Sequence, residues 1–512
     1  MWPRSGDAVG ERRRTWYLLA RTRKEALAVA YRQRVISALK WNVSGQFGVQ
    51  AIRFVLVIIL ARLLSPHEFG LMAMLTVITQ FLVLNSDLGF EQALIHRREI
   101  TEAHRSSVFW LMILVGLVLG VALVAGASWI AKFYGVDGLT ALTRLVAAVF
   151  VLRALGVVPR ALVARQLDFR IVAARRCAAV ALGGVCAVGL AWRGFGVTSL
   201  AVELLVTTAA ESLLLLVACG WRPRFEFAGA AVRDLLGFSV YRPAARTLSY
   251  WAQHIDKLLI GRFLGSGPLG LYGRAYNLAR LPVLFVSRAI VNVMFASLAS
   301  IQDDHRRVRR VYLRTIGAVA LATVPMCLGL SVTAEPLVIG VLGPQWRAAV
   351  PILRLLALAA AVQSITTLAS SLYLSQGRAD LQFRLTALQR LSTIAAIFIG
   401  LRWGVLGIAT ALVLVSLINA LPTLYFAGRL IGLPLAAVLA ETAPVLIAAA
   451  IMTAAVAAVD AWTSHGLPPL TLLSVEVLTG ALVYWVALLI LRARAYFDVL
   501  GLLWLPASAG DA

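Results

Sequence analysis

Residues 108–130 read VFWLMILVGLVLGVALVAGASWI, twenty-three in a row without a charge. A helix crossing the hydrocarbon core of a bilayer needs roughly 20 mostly apolar residues. A strand of a membrane barrel would alternate apolar and polar residues. This run does not alternate, so it reads as a transmembrane helix. Comparable runs recur in both directions, and they predict helices over 42–63, 69–92, 108–130, 139–158, 172–192, 197–219, 237–263, 270–297, 311–332, 350–374, 385–401, 404–426, 440–459 and 472–491. Composition agrees: 60% of the 512 residues are hydrophobic and 14% charged, with a mean hydropathy of +0.84. Soluble domains run at about 45–50% and 25%. The expected fold is an all-α integral membrane protein of about fourteen transmembrane helices.

The net charge is +24, and nearly all the basic residues are Arg. In a soluble chain that excess would suggest nucleic acid. Here the positive-inside rule accounts for it, and no nucleic-acid partner is expected. With the N-terminus in the cytoplasm, twenty-eight Lys and Arg fall in cytoplasmic tails and loops, against six on the other side: Arg62, Lys132, Arg193, Arg262, Arg347 and Arg402. An even number of spans puts both termini inside.

The chain also repeats itself. Ala61-Arg62-Leu63-Leu64 and Phe69-Gly70-Leu71 correspond to Gly261-Arg262-Phe263-Leu264 and Leu269-Gly270-Leu271. Arg144-Leu145-Val146-Ala147 corresponds to Arg354-Leu355-Leu356-Ala357, and Phe195-Gly196-Val197 to Trp403-Gly404-Val405. Six segments separate the copies, so both copies run the same way through the membrane. This predicts two pseudo-symmetric six-helix lobes plus two C-terminal helices. The expected boundaries are a basic cytoplasmic extension (1–40), an N-lobe (41–220), a cytoplasmic linker (221–236), a C-lobe (237–428), the two added helices (429–493) and a cytoplasmic tail (494–512). The first 40 residues carry ten Lys and Arg and no apolar core of a cleavable signal. Residues 11–40 have the pattern of an amphipathic stretch on the inner membrane surface.

Charges inside spans sort the candidate site. An Arg at a helix centre costs about 2.5–3.5 kcal/mol on insertion scales unless it faces protein or water. Arg144, Arg153, Arg354 and Arg390 lie near expected helix ends and can snorkel. Arg53, Arg246, Arg280 and Arg288 are too central for that. Asn42, Gln46, Gln50 and Arg53 fall within about 80° of arc on the first helix. Arg242, Arg246, Ser249, Gln253, Asp256 and Lys257 fall within about 100° on the seventh. These stripes, on helices related by the repeat, point to a cationic, hydrated cavity lined by Arg53, Gln50, Gln46, Arg242, Arg246, Gln253, Arg280 and Arg288. Arg binds phosphate oxygens through paired hydrogen bonds, so the cavity suits an anionic substrate such as a diphosphate. Asp256, Asp87 and Glu91 are candidates to carry a coupling ion, a proton or sodium, although Asp256 can equally serve an internal ion pair.

Other chemistry finds little support. Cys177, Cys186, Cys219 and Cys327 lie in or beside apolar runs without metal-ligand spacing, and the six His form no ligand pair. No metal, cofactor or phosphate-binding loop is expected. A glycan polymerase or glycosyltransferase would need a long extramembrane loop with catalytic side chains. A multidrug antiporter of similar fold would favour an acidic cavity.

Several local patterns resemble a known family. They are Arg62-Leu63-Leu64-Ser65-Pro66-His67-Glu68-Phe69-Gly70; Asp87-Leu88-Gly89 with Ala93-Leu94-Ile95; Pro159, Ala161, Leu162, Arg165 and Phe169; Asp256-Lys257-Leu258-Leu259-Ile260-Gly261-Arg262 with Leu269-Gly270-Leu271-Tyr272 and Ala275; and Gly343 with Trp346. In this order they resemble the polysaccharide transporter family, which includes the Wzx-type flippases, of the multidrug/oligosaccharidyl-lipid/polysaccharide exporter superfamily. The likeness covers roughly residues 38–430; the basic extension departs from it. The resemblance implies two six-helix bundles around a cavity that opens alternately to each side. It implies a flippase rather than an enzyme, moving polyprenyl-diphosphate-linked oligosaccharide repeat units across the bacterial inner membrane, alongside other polysaccharide assembly proteins. A lipid II flippase or multidrug exporter of the same superfamily is the alternative.

Overall fold

The computed structural model describes residues 41, 44–97, 99–166, 169–236, 243–463 and 467–498. The basic stretch before residue 41, Arg242 and most of the C-terminal tail lie outside them. All regular structure among the described residues is helical. In chain order the helices are α1 (Ser44–Leu63), α2 (Pro66–Ser86), α3 (Phe90–His96), α4 (Glu102–Tyr134), α5 (Leu139–Val146), α6 (Ala148–Ala154), α7 (Val157–Gln166), α8 (Phe169–Trp192), α9 (Val197–Ala218) and α10 (Gly229–Leu236). They continue as α11 (Pro243–Leu264), α12 (Ser266–Ser300), α13 (His305–Val332), α14 (Ala334–Leu337), α15 (Val350–Thr366), α16 (Ala369–Ser375), α17 (Ala379–Gly400), α18 (Gly404–Ile431), α19 (Leu435–Thr463) and α20 (Pro469–Ile490).

Every expected segment is helical over its described residues, but three are interrupted. The second breaks between α2 and α3, where Leu88 and Gly89 both take positive φ, 46° and 79°. The fourth divides into α5, α6 and α7, and the tenth into α15 and α16. Eleven helical stretches among the described residues are long and apolar enough to cross a membrane. One of them, Ala379–Ile431, is counted whole although it folds back on itself. Gln389 bonds Thr423 and Asn419 bonds Ser392. Residue numbers that sum to a near constant mark antiparallel neighbours, so α17 and α18 form a hairpin that turns at Leu401–Trp403. The helices α11 and α12 are not among the eleven. The tally of fourteen therefore stays an expectation.

The chain divides into two compact units. Unit 1 comprises Met1–Leu60, Thr79–Ala131 and Asp137–Leu248; unit 2 comprises Ala61–Ile78, Lys132–Val136 and Ser249–Ala512. Unit 1 packs α3, α4 and α7 around Phe90, Leu94, Phe109, Met112 and Val158. In the same unit Arg165 donates to the carbonyls of Leu94 and Ile95, at 2.7 and 3.2 Å. These are among the carbonyls a helix end leaves unpaired, so Arg165 closes the end of α3, where a cation also suits the helix dipole. Unit 2 is centred on α13, whose first turn is capped by Asp304 accepting from the Arg307 amide at 3.0 Å. Its core holds Tyr312, Ile316, Leu372, Tyr373 and Ala427.

Residues 61–78 belong to unit 2 for visible reasons. Trp346 Nε1 and Gln345 Nε2 donate to the Ala61 carbonyl, at 2.8 and 2.7 Å. Tyr250 donates its hydroxyl to the Val77 carbonyl at 2.6 Å. At the start of α2 and α12 the two backbones nearly touch. A Cβ on Gly70 would overlap the Ser266 carbonyl, and one on Gly270 would overlap the Pro66 carbonyl. Both pairs are offset by 200 residues, so the contact maps onto itself under the internal repeat. Small residues at such crossings let helix backbones approach in lipid.

Candidate functional site

Inside unit 2 lies a cavity of about 380 Å³. Three helices turn polar faces to it at helical spacing. On α17 these are Gln382, Thr386, Gln389, Arg390 and Thr393; on α18, Ser416, Asn419 and Thr423; on α15, Gln363 and Thr366. The remaining wall comes from Gln253 and Asp256 on α11 and from Tyr272, Tyr276 and Arg280 on α12.

The uncharged wall is already organised by hydrogen bonds. Gln363 Nε2 donates to Ser416 Oγ at 3.2 Å, and Gln389 Nε2 to Thr423 Oγ1 at 2.7 Å. Asn419 Nδ2 donates to Ser392 Oγ at 2.9 Å. Tyr373 donates its hydroxyl to the Thr423 carbonyl at 2.6 Å, fixing that rim of the cavity. Each side-chain amide keeps further donors or acceptors after these bonds. A ligand rich in hydroxyl groups can engage them.

The charged wall is cationic on balance. Arg280 Nη1 donates to the Tyr276 hydroxyl at 3.0 Å and its guanidinium lies 5.3 Å from that ring's centre. Lys257 Nζ lies 5.6 Å from the same ring. Cations held over an aromatic face are attracted by the negative face of the ring. Neither Arg280 nor Arg390 makes an ion pair among the described residues. Asp256, 7% exposed, accepts the Tyr272 hydroxyl at 2.8 Å through Oδ2. Its Oδ1 has no hydrogen-bond partner among the described residues.

Of the residues singled out in the sequence, the structure brings Gln253, Asp256 and Arg280 together in this cavity. Gln46, Gln50 and Arg53 lie exposed on α1 in unit 1 and are not among the residues lining it. Arg246 and Arg288 stand on α11 and α12, and their side chains lie outside the described set. Glu91 pairs with Arg160 at 3.4 Å. The Asp87 carboxylate accepts the Gly89 amide at 3.4 Å within the turn between α2 and α3.

One expectation is corrected. Arg390 reads in the sequence as a snorkelling residue near a helix end. The helix α17 begins at Ala379, earlier than expected, so Arg390 sits near its middle and lines the cavity. The face Gln382, Thr386, Gln389 and Thr393 also went unread, because those side chains carry no charge. Their signal was a spacing of three and four inside an apolar span.

Comparison with known proteins gives a consistent picture. The model of a family described as "Polysaccharide biosynthesis protein" matches residues 59–351. Lipopolysaccharide biosynthesis protein WzxC of Escherichia coli (strain K12) is 28% identical over 396 residues, covering 77% of this chain and 80% of that protein. Teichuronic acid biosynthesis protein TuaB of Bacillus subtilis (strain 168) is 28% identical over 482 residues, covering 91% and 96%. A solved inward closed conformation of the lipid II flippase MurJ superposes with a TM-score of 0.68 at 13% identity, covering 90% of this chain and 99% of that one. At that identity the likeness concerns the fold alone.

Proposed function

We infer the activity from one premise: the chain belongs to the polysaccharide biosynthesis protein family, whose model spans more than half of it. We propose that it is a flippase moving polyprenyl-diphosphate-linked oligosaccharide repeat units across the bacterial inner membrane, by alternating access, for surface polysaccharide assembly. Its termini then lie in the cytoplasm. Residues 41–220 and 237–428 act as the two moving lobes, and 429–493 as an added pair of helices.

The observation that carries this reading is the two-sided chemistry of the cavity. Arg280 and Arg390, which make no ion pair among the described residues, supply guanidinium groups of the kind that bind phosphate oxygens by charge-assisted hydrogen bonds. Gln363, Gln389 and Asn419 supply amides suited to sugar hydroxyls. Sites for drug-sized ligands span about 300–1,000 Å³. At about 380 Å³ the cavity has room for the diphosphate and adjoining sugar rather than for the whole repeat unit. The prenyl chain remains in lipid. We assign Gln46, Gln50 and Arg53 on α1, with Arg242, Arg246, Gln253 and Arg288, to further contacts along the substrate's route. Asp256 is the favoured ion-coupling residue, because one carboxylate oxygen is buried and free.

Inactivating the gene tests this. Loss of a surface polysaccharide, with its lipid-linked repeat unit retained on the cytoplasmic side, is the expected result. Unchanged polysaccharide together with drug sensitivity would place the protein with the multidrug exporters. Lipid II retention would place it with peptidoglycan precursor transport. Arg53→Ala and Arg246→Ala should each lower export without removing protein from the membrane. Normal export in both would take the α1 and α11 stripes out of the route.

A further inference from the structure

The helices α19 and α20 lie outside the internal repeat and away from the cavity lining. They pack as an antiparallel pair. A Cβ on Gly480 of α20 would come within 3.2 Å of Val456 on α19. The same register, in which paired residue numbers sum to a constant, places Asp460 opposite Glu476. Glu476 is completely buried, its carboxylate oxygens find no donor among the described residues, and the Asp460 carboxyl stands within reach of a shared proton. Asp460, near the end of α19, is only partly buried.

No cation faces the pair among the described residues. The charge acting on Glu476 is that of Asp460. The π turn Val338–Leu342, which packs against α20, contains no ionisable residue. Glu335 on α14 is engaged with Arg347 and Arg354. The basic residues of α13 end at Arg314, and Glu441 stands at the far end of α19, near Arg314, Arg494 and Asp498. His465 lies outside the described residues.

Two adjacent carboxyls without a counter-cation cannot both ionise in a medium of low dielectric. Buried polar atoms without partners are rare and call for an explanation. A proton on Glu476 removes the like-charge repulsion and supplies the donor that these oxygens lack. We propose that Asp460 and Glu476 form a proton-binding site, a carboxyl pair that holds one proton within the α19–α20 hairpin. Glu476 stores it, and the half-exposed Asp460 is the route by which it exchanges.

Infrared difference spectroscopy of the full-length protein in lipid nanodiscs tests the pair. The wild type should show a protonated-carboxyl C=O band at neutral pH that Glu476→Gln removes. In Asp460→Asn the repulsive neighbour is gone, so this band should titrate away at lower pH than in the wild type. No band at neutral pH that depends on Glu476 would overturn the proposal. So would a band whose midpoint is unchanged in Asp460→Asn, which keeps the test open if Glu476→Gln fails to fold. A band that appears only when sodium is withdrawn would assign the pair to a metal cation and would equally reject the proton.

Discussion

Arg160 in unit 1 and Arg390 in unit 2 are both arginines on helices of a membrane protein, and the two neighbourhoods treat them in opposite ways. Arg160 on α7 meets Glu91 on α3 at 3.4 Å and sits beside the apolar contacts of Val157, Val158 and Ala161 with Phe90 and Leu94. Close by, Arg165 caps the end of α3. Charge there is spent on holding helices together. Around Arg390 the neighbours are amides and hydroxyls that already bond one another, and no carboxylate pairs with it among the described residues. An ion pair is closed to a ligand, whereas a guanidinium without a counter-ion in a polar pocket still has its donors to offer. The contrast separates charge that supports the fold from charge available for transport.

That contrast can be broken by mutation. The largest expected effect is on export in Arg280→Ala combined with Arg390→Ala. A hydrogen bond to a charged group is worth about 1.5–3 kcal/mol, so losing either arginine should weaken substrate binding roughly tenfold to hundredfold. The amount of protein in the membrane should stay unchanged. A double variant that exports normally would show that the cavity is not the substrate site.

Next in size is Arg160→Ala, expected to act on stability and not on export per folded molecule. The pair is partly exposed, so the loss should be nearer 1 kcal/mol than the larger cost of a fully buried pair. Thermal unfolding in detergent should show it, and Glu91→Gln in the same background should restore part of the loss. If Arg160→Ala instead abolished export at full stability, the contrast with Arg390 would fail.

A smaller effect is expected for Gln389→Ala. A neutral hydrogen bond contributes about 0.5–1.5 kcal/mol, so export should fall a few-fold, and more for substrates with hydroxyls near the diphosphate. Competition assays between lipid-linked sugars would show whether that face reads the glycan.

The smallest effect concerns pH. Arg97 on one side and His104 on the other hold the Asp234 carboxyl below its ordinary range, the Arg97 hydrogen bond being the main cause. A carboxyl whose folded pKa is depressed adds stability above its unfolded pKa, and that contribution disappears as pH falls through the folded pKa. Acid unfolding of wild type and Asp234→Asn should therefore converge at low pH. The difference at neutral pH should be slight, because the group is exposed and screened.

Much of the fold was legible in the sequence. The apolar segments read from the sequence are helical wherever their residues are described, because lipid leaves the backbone few alternatives to the helix. The division of α5–α7 was not legible, since apolar composition continues through it; the break at Asp87-Leu88-Gly89 falls in a polar stretch already singled out by its resemblance. Half of the site was legible for a related reason. A charge inside an apolar span is conspicuous, so Arg280 and Asp256 stood out. Gln363, Gln389 and Asn419 did not, because an uncharged polar residue in a span more often bonds a neighbouring helix. Arg390 was misplaced because depth was judged from a helix start several residues too late.

By itself the sequence determined that this is a helical membrane protein and which charged residues had to be accounted for. Those follow from composition and period, which act locally along the chain. Only the tertiary structure decided which charges are neutralised. The pairing of Arg160 with Glu91, the surroundings of Asp256 and the meeting of Asp460 with Glu476 all depend on how separate helices come into register. Electrostatic interaction depends on separation in space and on what lies between, and neither is written in residue order.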